Sequence, residues 1–116
     1  MGTRDVGKRG EAVAARALEK VGYTIIERNW RCADGELDLV CRHRNELVFV
    51  EVRSRAHSAD AALESITSRK RNQLIKLAQA YLDSHDLNDA SYRIDVVAIG
   101  FTSNDIAIIE DAVGWE

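Results

Sequence analysis

Proline is absent from this sequence of 116 residues. With no proline, no repeat and no low-complexity stretch, nothing marks a linker, and the length suits one domain over residues 1–116. No apolar run approaches the roughly 20 residues needed to span a bilayer, so no membrane partner is expected. The opening MGTRDVGKRGE has no apolar stretch of a secretory leader. Val6 stands where N-myristoylation after Gly2 would need Ser or Thr. Cysteine is scarce: Cys32 and Cys41 form neither a disulfide framework nor a zinc-ligand spacing. Cys41, in an apolar segment, reads as a small core residue. Together these absences point to the reducing cytoplasm. A strong excess of one charge is missing too; the net charge of −3 argues against a general DNA coat protein.

What is there is unevenly placed. Residues 1–76 hold 15 Lys and Arg against 11 Asp and Glu, a balance of +4; residues 77–116 hold one Arg against eight acids, a balance of −7. Such asymmetry can leave a basic face on an acidic protein, although a solvated surface of uneven composition gives the same counts. Apolar residues recur at helical spacing from Asp5 to Val21, with Gly22 placed as a stop. Tyr23–Trp30 reads as a strand and 32–35 as a turn. Leu37–Arg42 and Leu47–Arg53 read as two more strands around a turn at Arg44-Asn45. Asp60 could cap a short helix over 61–66. Thr67 or Ser68 could cap a longer one with Leu74, Leu77, Ala78, Tyr81 and Leu82 on its apolar face. Tyr92–Ile99 and Ile106–Ile109 are the last strands. The order α-β-β-β-α-β-β describes an α/β protein with a mixed sheet of about five strands flanked by helices.

The chemistry lies in the register of the central hairpin. With Arg44-Asn45 as a two-residue turn, opposed residue numbers sum to 89, and a four-residue loop closed by Arg42 and Leu47 gives the same sum. Asp38 then faces Glu51, and Glu36 faces Arg53. Side chains alternate along a strand, so Glu36, Asp38 and Val40 share a face with Phe49, Glu51 and Arg53. Leu37, Leu39 and Cys41 share the other with Val48, Val50 and Val52. Opposed carboxylates repel, and the apolar flanks LDLV and VFVEV imply burial, which raises the cost. A hard divalent ion, Mg²⁺ or Mn²⁺, would compensate. Arg53 could do so instead, as a salt-bridged patch.

Other residues converge on this pair. Glu11 sits at the edge of the apolar stripe of the first helix and can point toward Asp38 and Glu51; a surface helix charge is its plain alternative. Lys70 continues the buried stripe of the long helix, within the cluster Arg69, Lys70, Arg71, and could reach a phosphate. Gly7 and Gly10 bracket Lys8 and Arg9, where a backbone could approach a phosphate closely. Ile106, Ile108, Val113 and Trp115 could serve a homodimer contact, and a docked tail explains them equally well.

The segments GKRGE (7–11), GELDLV (35–40) and VFVEVRSR (48–55) resemble the YraN-like family of small bacterial proteins, with similarity extending through the helix at 70–74 and RIDVVAI (93–99). The first three also resemble Holliday-junction resolvases and the restriction-endonuclease-like superfamily with its D…E-x-K motif. The resemblance implies a restriction-endonuclease-like fold and a metal-dependent endonuclease that hydrolyses phosphodiester bonds in DNA, branched or recombination and repair intermediates included. The alternative is a non-catalytic nucleic-acid-binding domain retaining that fold. It implies Asp38 and Glu51 as metal ligands, with the Val52 carbonyl alongside and Glu11 bound directly or through water. Arg53 falls where the superfamily carries its catalytic lysine. Arginine keeps its proton and cannot act as a base, but it can hold a phosphate by a bidentate contact. Lys8, Arg9, Arg55, Arg69, Lys70 and Arg71 would contact the nucleic-acid backbone, with DNA favoured over RNA. Asp95 matches a recurrent aspartate of the family, and pairing to Arg93 is the plain reading of it.

Overall fold

A computed structural model describes residues 3–113. Its elements are α1 (Thr3–Lys20), β1 (Thr24–Cys32), β2 (Gly35–His43), β3 (Glu46–Arg55), α2 (Ala59–Glu64), α3 (Ser68–Ser84), β4 (Tyr92–Gly100) and β5 (Asp105–Val113). The five strands lie in sequence order in one sheet. Only β3 and β4 run parallel, joined across the sheet by α2 and α3; the other neighbours are antiparallel. This is the mixed α/β architecture expected, and no helix among the described residues is long and apolar enough to cross a membrane.

Local chemistry sets the boundaries. Gly22 closes α1 with φ +97°. The N–H groups of Gly22 and Tyr23 return to the carbonyls of Glu19 and Leu18, a cap that needs a left-handed residue after the last turn. Arg44 and Asn45 both have positive φ, the two-residue turn whose twist matches that of its strands. Thr67 caps α3 by accepting from Lys70 N at 3.1 Å. The short helix begins earlier than the sequence suggested. Its cap is Ser58, which accepts from Ala61 N at 3.0 Å, and Asp60 falls inside the first turn. β5 begins one residue before Ile106–Ile109 and runs four residues beyond it, because β4 pairs with it out to Val113.

Each face of the sheet has its own core. α1 covers one with Ala14, Ala15 and Leu18 against Leu39, Cys41, Val48, Val50, Val97 and Ile99. α3 covers the other with Leu74, Leu77, Ala78, Tyr81 and Leu82 against Val40, Phe49, Ile94 and Val96. The apolar face expected for α3 is the one that is buried. Burial of a side chain such as Leu77, wholly inaccessible here, stabilises by about 1.5–3 kcal/mol. Cys41 is in the core as expected, and burial pushes its thiol up to about 12, beyond easy ionisation. Of the C-terminal apolar residues, Val113 is core, Ile106 is exposed, and Trp115 lies outside the described residues.

Candidate metal centre

The β2–β3 pairing runs from His43↔Glu46 to Leu39↔Val50, every pair summing to 89 as derived. Asp38 and Glu51 are the next positions out. There the strand changes character: the N–H of Val52 donates to Asp38 Oδ2 at 2.8 Å. A side-chain carboxylate thus takes a donor that a neighbouring carbonyl would otherwise accept. The alternation along β2 also breaks. Leu39 and Cys41 pack toward α1, but Leu37 packs with Val40 and Phe49 toward α3. This corrects the expectation of Leu37, Leu39 and Cys41 on one face. The break lies opposite β1, between the pairs Arg28↔Leu39 and Trp30↔Leu37, which keep one register. Between those pairs, across from Asp38, Asn29 has φ 54°. A left-handed residue inside a strand turns the pleat.

The consequence is a carboxylate cluster drawn from two sides. One ligand oxygen from each of Glu11, Glu36 and Asp38 lies within 4.8 Å of the others. Glu11 comes from α1 and the other two from β2. In the orientation its surroundings demand, the Asn29 side-chain NH₂ donates to Glu36 Oε1 at 2.6 Å and to both Glu11 oxygens at 3.1 Å. Partial burial, then the charge of Asp38, raises the Glu11 carboxyl above its ordinary value. Glu36 does not pair with Arg53, as the register alone suggested, but with Arg31 Nε at 3.1 Å.

Glu51 adjoins the cluster from the α3 side. It is 4% exposed, and burial, then the charge of Asp38, pushes its carboxyl up to about 7 despite two cations beside it. Arg53 Nε stands 3.2 Å from Glu51 Oε2, and Lys70 Nζ stands 3.5 Å from the same oxygen. The buried Arg53 Nε makes no hydrogen bond, so the contact is an ion pair of charge rather than of aligned donor and acceptor. The expected alternative of an Asp38–Arg53 patch is therefore replaced by a Glu51–Arg53–Lys70 one. Lys70 Nζ also donates to Gln73 Oε1 at 3.4 Å, and Gln73 Nε2 donates to Asp34 O at 3.2 Å. Gly35, at φ +138°, leaves room for that amide; a Cβ there would stand 2.9 Å from Gln73 Nε2.

The remaining basic candidates lie on α1, at the end of β3 and in the first turn of α3. Lys8 and Arg9 are exposed on α1, and Arg9 lies over the Phe101 ring at 4.3 Å. Gly10 packs against Ser54, which brings that part of α1 to the end of β3. Arg55 there is exposed and donates to Ser54 O at 2.7 Å. Arg69 lines an open groove of about 470 Å³ with Asp34, Asn72, Gln73 and Lys76, and Arg71 lies in the first turn of α3.

Asp95 belongs to a different centre. It is fully buried; Tyr23 donates to its Oδ2 at 2.7 Å, Arg93 Nε to its Oδ1 at 3.0 Å, and the Asp111 N–H to Oδ1 at 2.9 Å. Arg93 also donates to Glu46 at 3.0 Å and to His43 Nδ1 at 2.5 Å, so that ring nitrogen carries no proton. The His43 ring stacks on Tyr23 with centroids 3.9 Å apart. The network starts five residues before Glu51 on β3, roughly 17 Å away along the strand. The pairing of Asp95 with Arg93 is the plain reading, and Tyr23, His43, Glu46, Glu110 and the Asp111 backbone are unforeseen members.

A hard divalent ion fits what the chain offers. The donors are all carboxylate oxygens, the ligand type of Mg²⁺ and Mn²⁺. Two of them, Glu11 and Glu51, are held above their ordinary proton affinity by burial and by Asp38, a crowding that a cation relieves. Sequence reasoning assigned no role to Glu36, although its position two before Asp38 was a signal. Asn29 gave none, because a left-handed backbone inside a strand is not written in local sequence.

A family model described as Uncharacterised protein family UPF0102 matches residues 10–99. A UPF0102 protein of Chloroflexus aurantiacus is 54% identical over 97 residues, 83% of this chain and 79% of its own length. Those of Roseiflexus castenholzii and Beutenbergia cavernae are 49% and 46% identical, over 89% and 94% of this chain and 86% and 93% of theirs. Among solved structures, Pyrococcus furiosus SfsA in complex with Ca²⁺ is similar at 20% identity and a TM-score of 0.41. That similarity covers 97% of this chain, which spans 65% of the SfsA chain.

Proposed function

The chain belongs to Uncharacterised protein family UPF0102, and from that premise we propose that it is a Mg²⁺- or Mn²⁺-dependent endonuclease that hydrolyses phosphodiester bonds in DNA. The observation that carries this reading is the meeting of Asp38 and Glu51 where β2 leaves β3, with Glu11 and Glu36 on one side and Lys70 and Arg53 on the other. The order of elements agrees with the restriction-endonuclease-like superfamily that the motifs resemble.

In this reading Asp38 and Glu51 hold the ion, and Glu11 and Glu36 complete its surroundings. A bound divalent ion supplies an acidified water and polarises a phosphate oxygen. Arg53 presents a planar guanidinium to the scissile phosphate and stabilises negative charge developing there. Lys70 contributes from α3 the compact ammonium that residue 53 lacks, 3.5 Å from Glu51. With Glu51 engaged as a metal ligand, Arg53 and Lys70 beside it would be free to face the substrate phosphate. Lys8, Arg9, Arg55, Arg69 and Arg71 hold the sugar-phosphate backbone, which positions DNA without reading its sequence.

The presence of arginine at 53 favours one second reading, a nucleic-acid-binding domain without cleavage. Incubation of labelled linear, single-stranded and four-way-junction DNA with Mg²⁺, Mn²⁺ or EDTA separates the two. The expected result is metal-dependent cleavage that Asp38→Ala and Glu51→Ala abolish. Cleavage that persists in either variant or in EDTA refutes the metal site, and binding without cleavage under each metal establishes the second reading.

A further inference from the structure

We infer that Asn29 is a positioning residue of the acidic centre: its left-handed backbone turns β2 out of register with its own alternation, and its amide ties Glu11 of α1 to Glu36 of β2. The inference rests on the metal-centre reading above and names what assembles that centre before an ion arrives.

Two independent features of one residue carry it. The first is φ 54° at Asn29, across from Asp38. Left-handed backbone is uncommon outside glycine, and asparagine is among the few side chains that enter it readily. It coincides with the one place where Leu37 and Leu39 fall on opposite faces. The second is the side chain. Its NH₂ has two hydrogens, and it meets Glu36 at 2.6 Å and Glu11 at 3.1 Å. Two carboxylates on different elements repel, so their approach needs a donor between them.

The chemical type of that donor matters. A lysine or arginine would neutralise the pair and compete with a cation for it. A neutral amide donates to Glu36 Oε1 and to the Glu11 carboxylate and leaves the negative charge in place for a metal. Asn29 is itself exposed, so its replacement removes little packing.

Glycine separates the two features, since Asn29→Gly keeps access to φ 54° and deletes only the amide. Asn29→Ala deletes the amide and also penalises the backbone. The metal-free proteins are melted, and Mn²⁺ binding is measured by calorimetric titration, with Asp38→Ala as reference. Asn29→Gly is expected to melt within about 4 °C of wild type and to bind Mn²⁺ about tenfold more weakly, the usual loss when an outer-shell partner of a metal ligand is removed. Asn29→Ala lowers the melting temperature further. A residue with a merely structural role would move the melting temperature and leave the Mn²⁺ affinity alone. Wild-type affinity in Asn29→Gly, with binding lost in Asp38→Ala, overturns the inference alone. No Mn²⁺ binding by wild type, or equal binding by Asp38→Ala, overturns the metal reading and this inference with it.

Discussion

Replacing Glu51 with glutamine should stabilise the metal-free protein, and only at high pH. The carboxyl is 4% exposed and its proton affinity is raised from an ordinary 4.5 to about 7, chiefly by burial and then by Asp38. For an acid raised in the folded state, the favourable contribution is complete below the unfolded value and is lost as pH rises through the folded one. Wild type therefore loses stability from Glu51 between about pH 4.5 and 7, and nothing further above. At about 1.4 kcal/mol per tenfold change in proton affinity, the loss is on the order of 3 kcal/mol. Glutamine keeps the shape and never ionises. The cations it leaves behind, Arg53 and Lys70, have side chains 23% and 25% exposed. Urea unfolding at matched pH cancels the titrating groups remote from Glu51 between the two proteins. The expected midpoints nearly coincide near pH 4.5; at pH 8, Glu51→Gln unfolds at a urea concentration higher by on the order of 1.5 M. Mn²⁺ nearly closes the gap at pH 8, because ligand at a hundred times its dissociation constant adds about 2.7 kcal/mol to wild type alone. The reasoning is refuted if Glu51→Gln is the less stable protein at pH 8, or if the gap is the same at both pH values.

Asp95→Ala leaves the Arg93 guanidinium buried without its principal partner and should cost about 3–5 kcal/mol in chemical unfolding, with no change specific to Mn²⁺ binding. Gly35→Ala places a Cβ 2.9 Å from Gln73 Nε2 at φ +138°; a loss of about 1–3 kcal/mol is expected, and unchanged thermal stability would count against it. If the nuclease reading holds, Lys70→Ala should lower kcat by at least about tenfold with little change in DNA affinity, and Arg53→Lys should raise it, both read from single-turnover cleavage. Weakened DNA binding at constant kcat in Lys70→Ala would instead make that lysine a backbone contact.

Much of this protein is legible in its sequence. The apolar face of α3, the Gly22 stop, the Arg44-Asn45 turn and the sum of 89 all follow from periodicity and turn chemistry, which act within a few residues. That register alone brought Asp38 to the position next to Glu51. What only the tertiary structure decided is everything set between elements distant in sequence. Across from Asp38, where Asn29 on β1 is left-handed, Leu37 turns away from Leu39 and Glu36 meets Glu11. Lys70 reaches Glu51 because α3 crosses that face of the sheet, and Tyr23, His43 and Asp95 meet because β1, β2 and β4 are bound into one sheet. Alternation is a rule for an undistorted strand, and β2 departs from it opposite a left-handed residue. The pair of carboxylates was written in the hairpin; the company they keep, and hence what they can bind, was written in the packing around them.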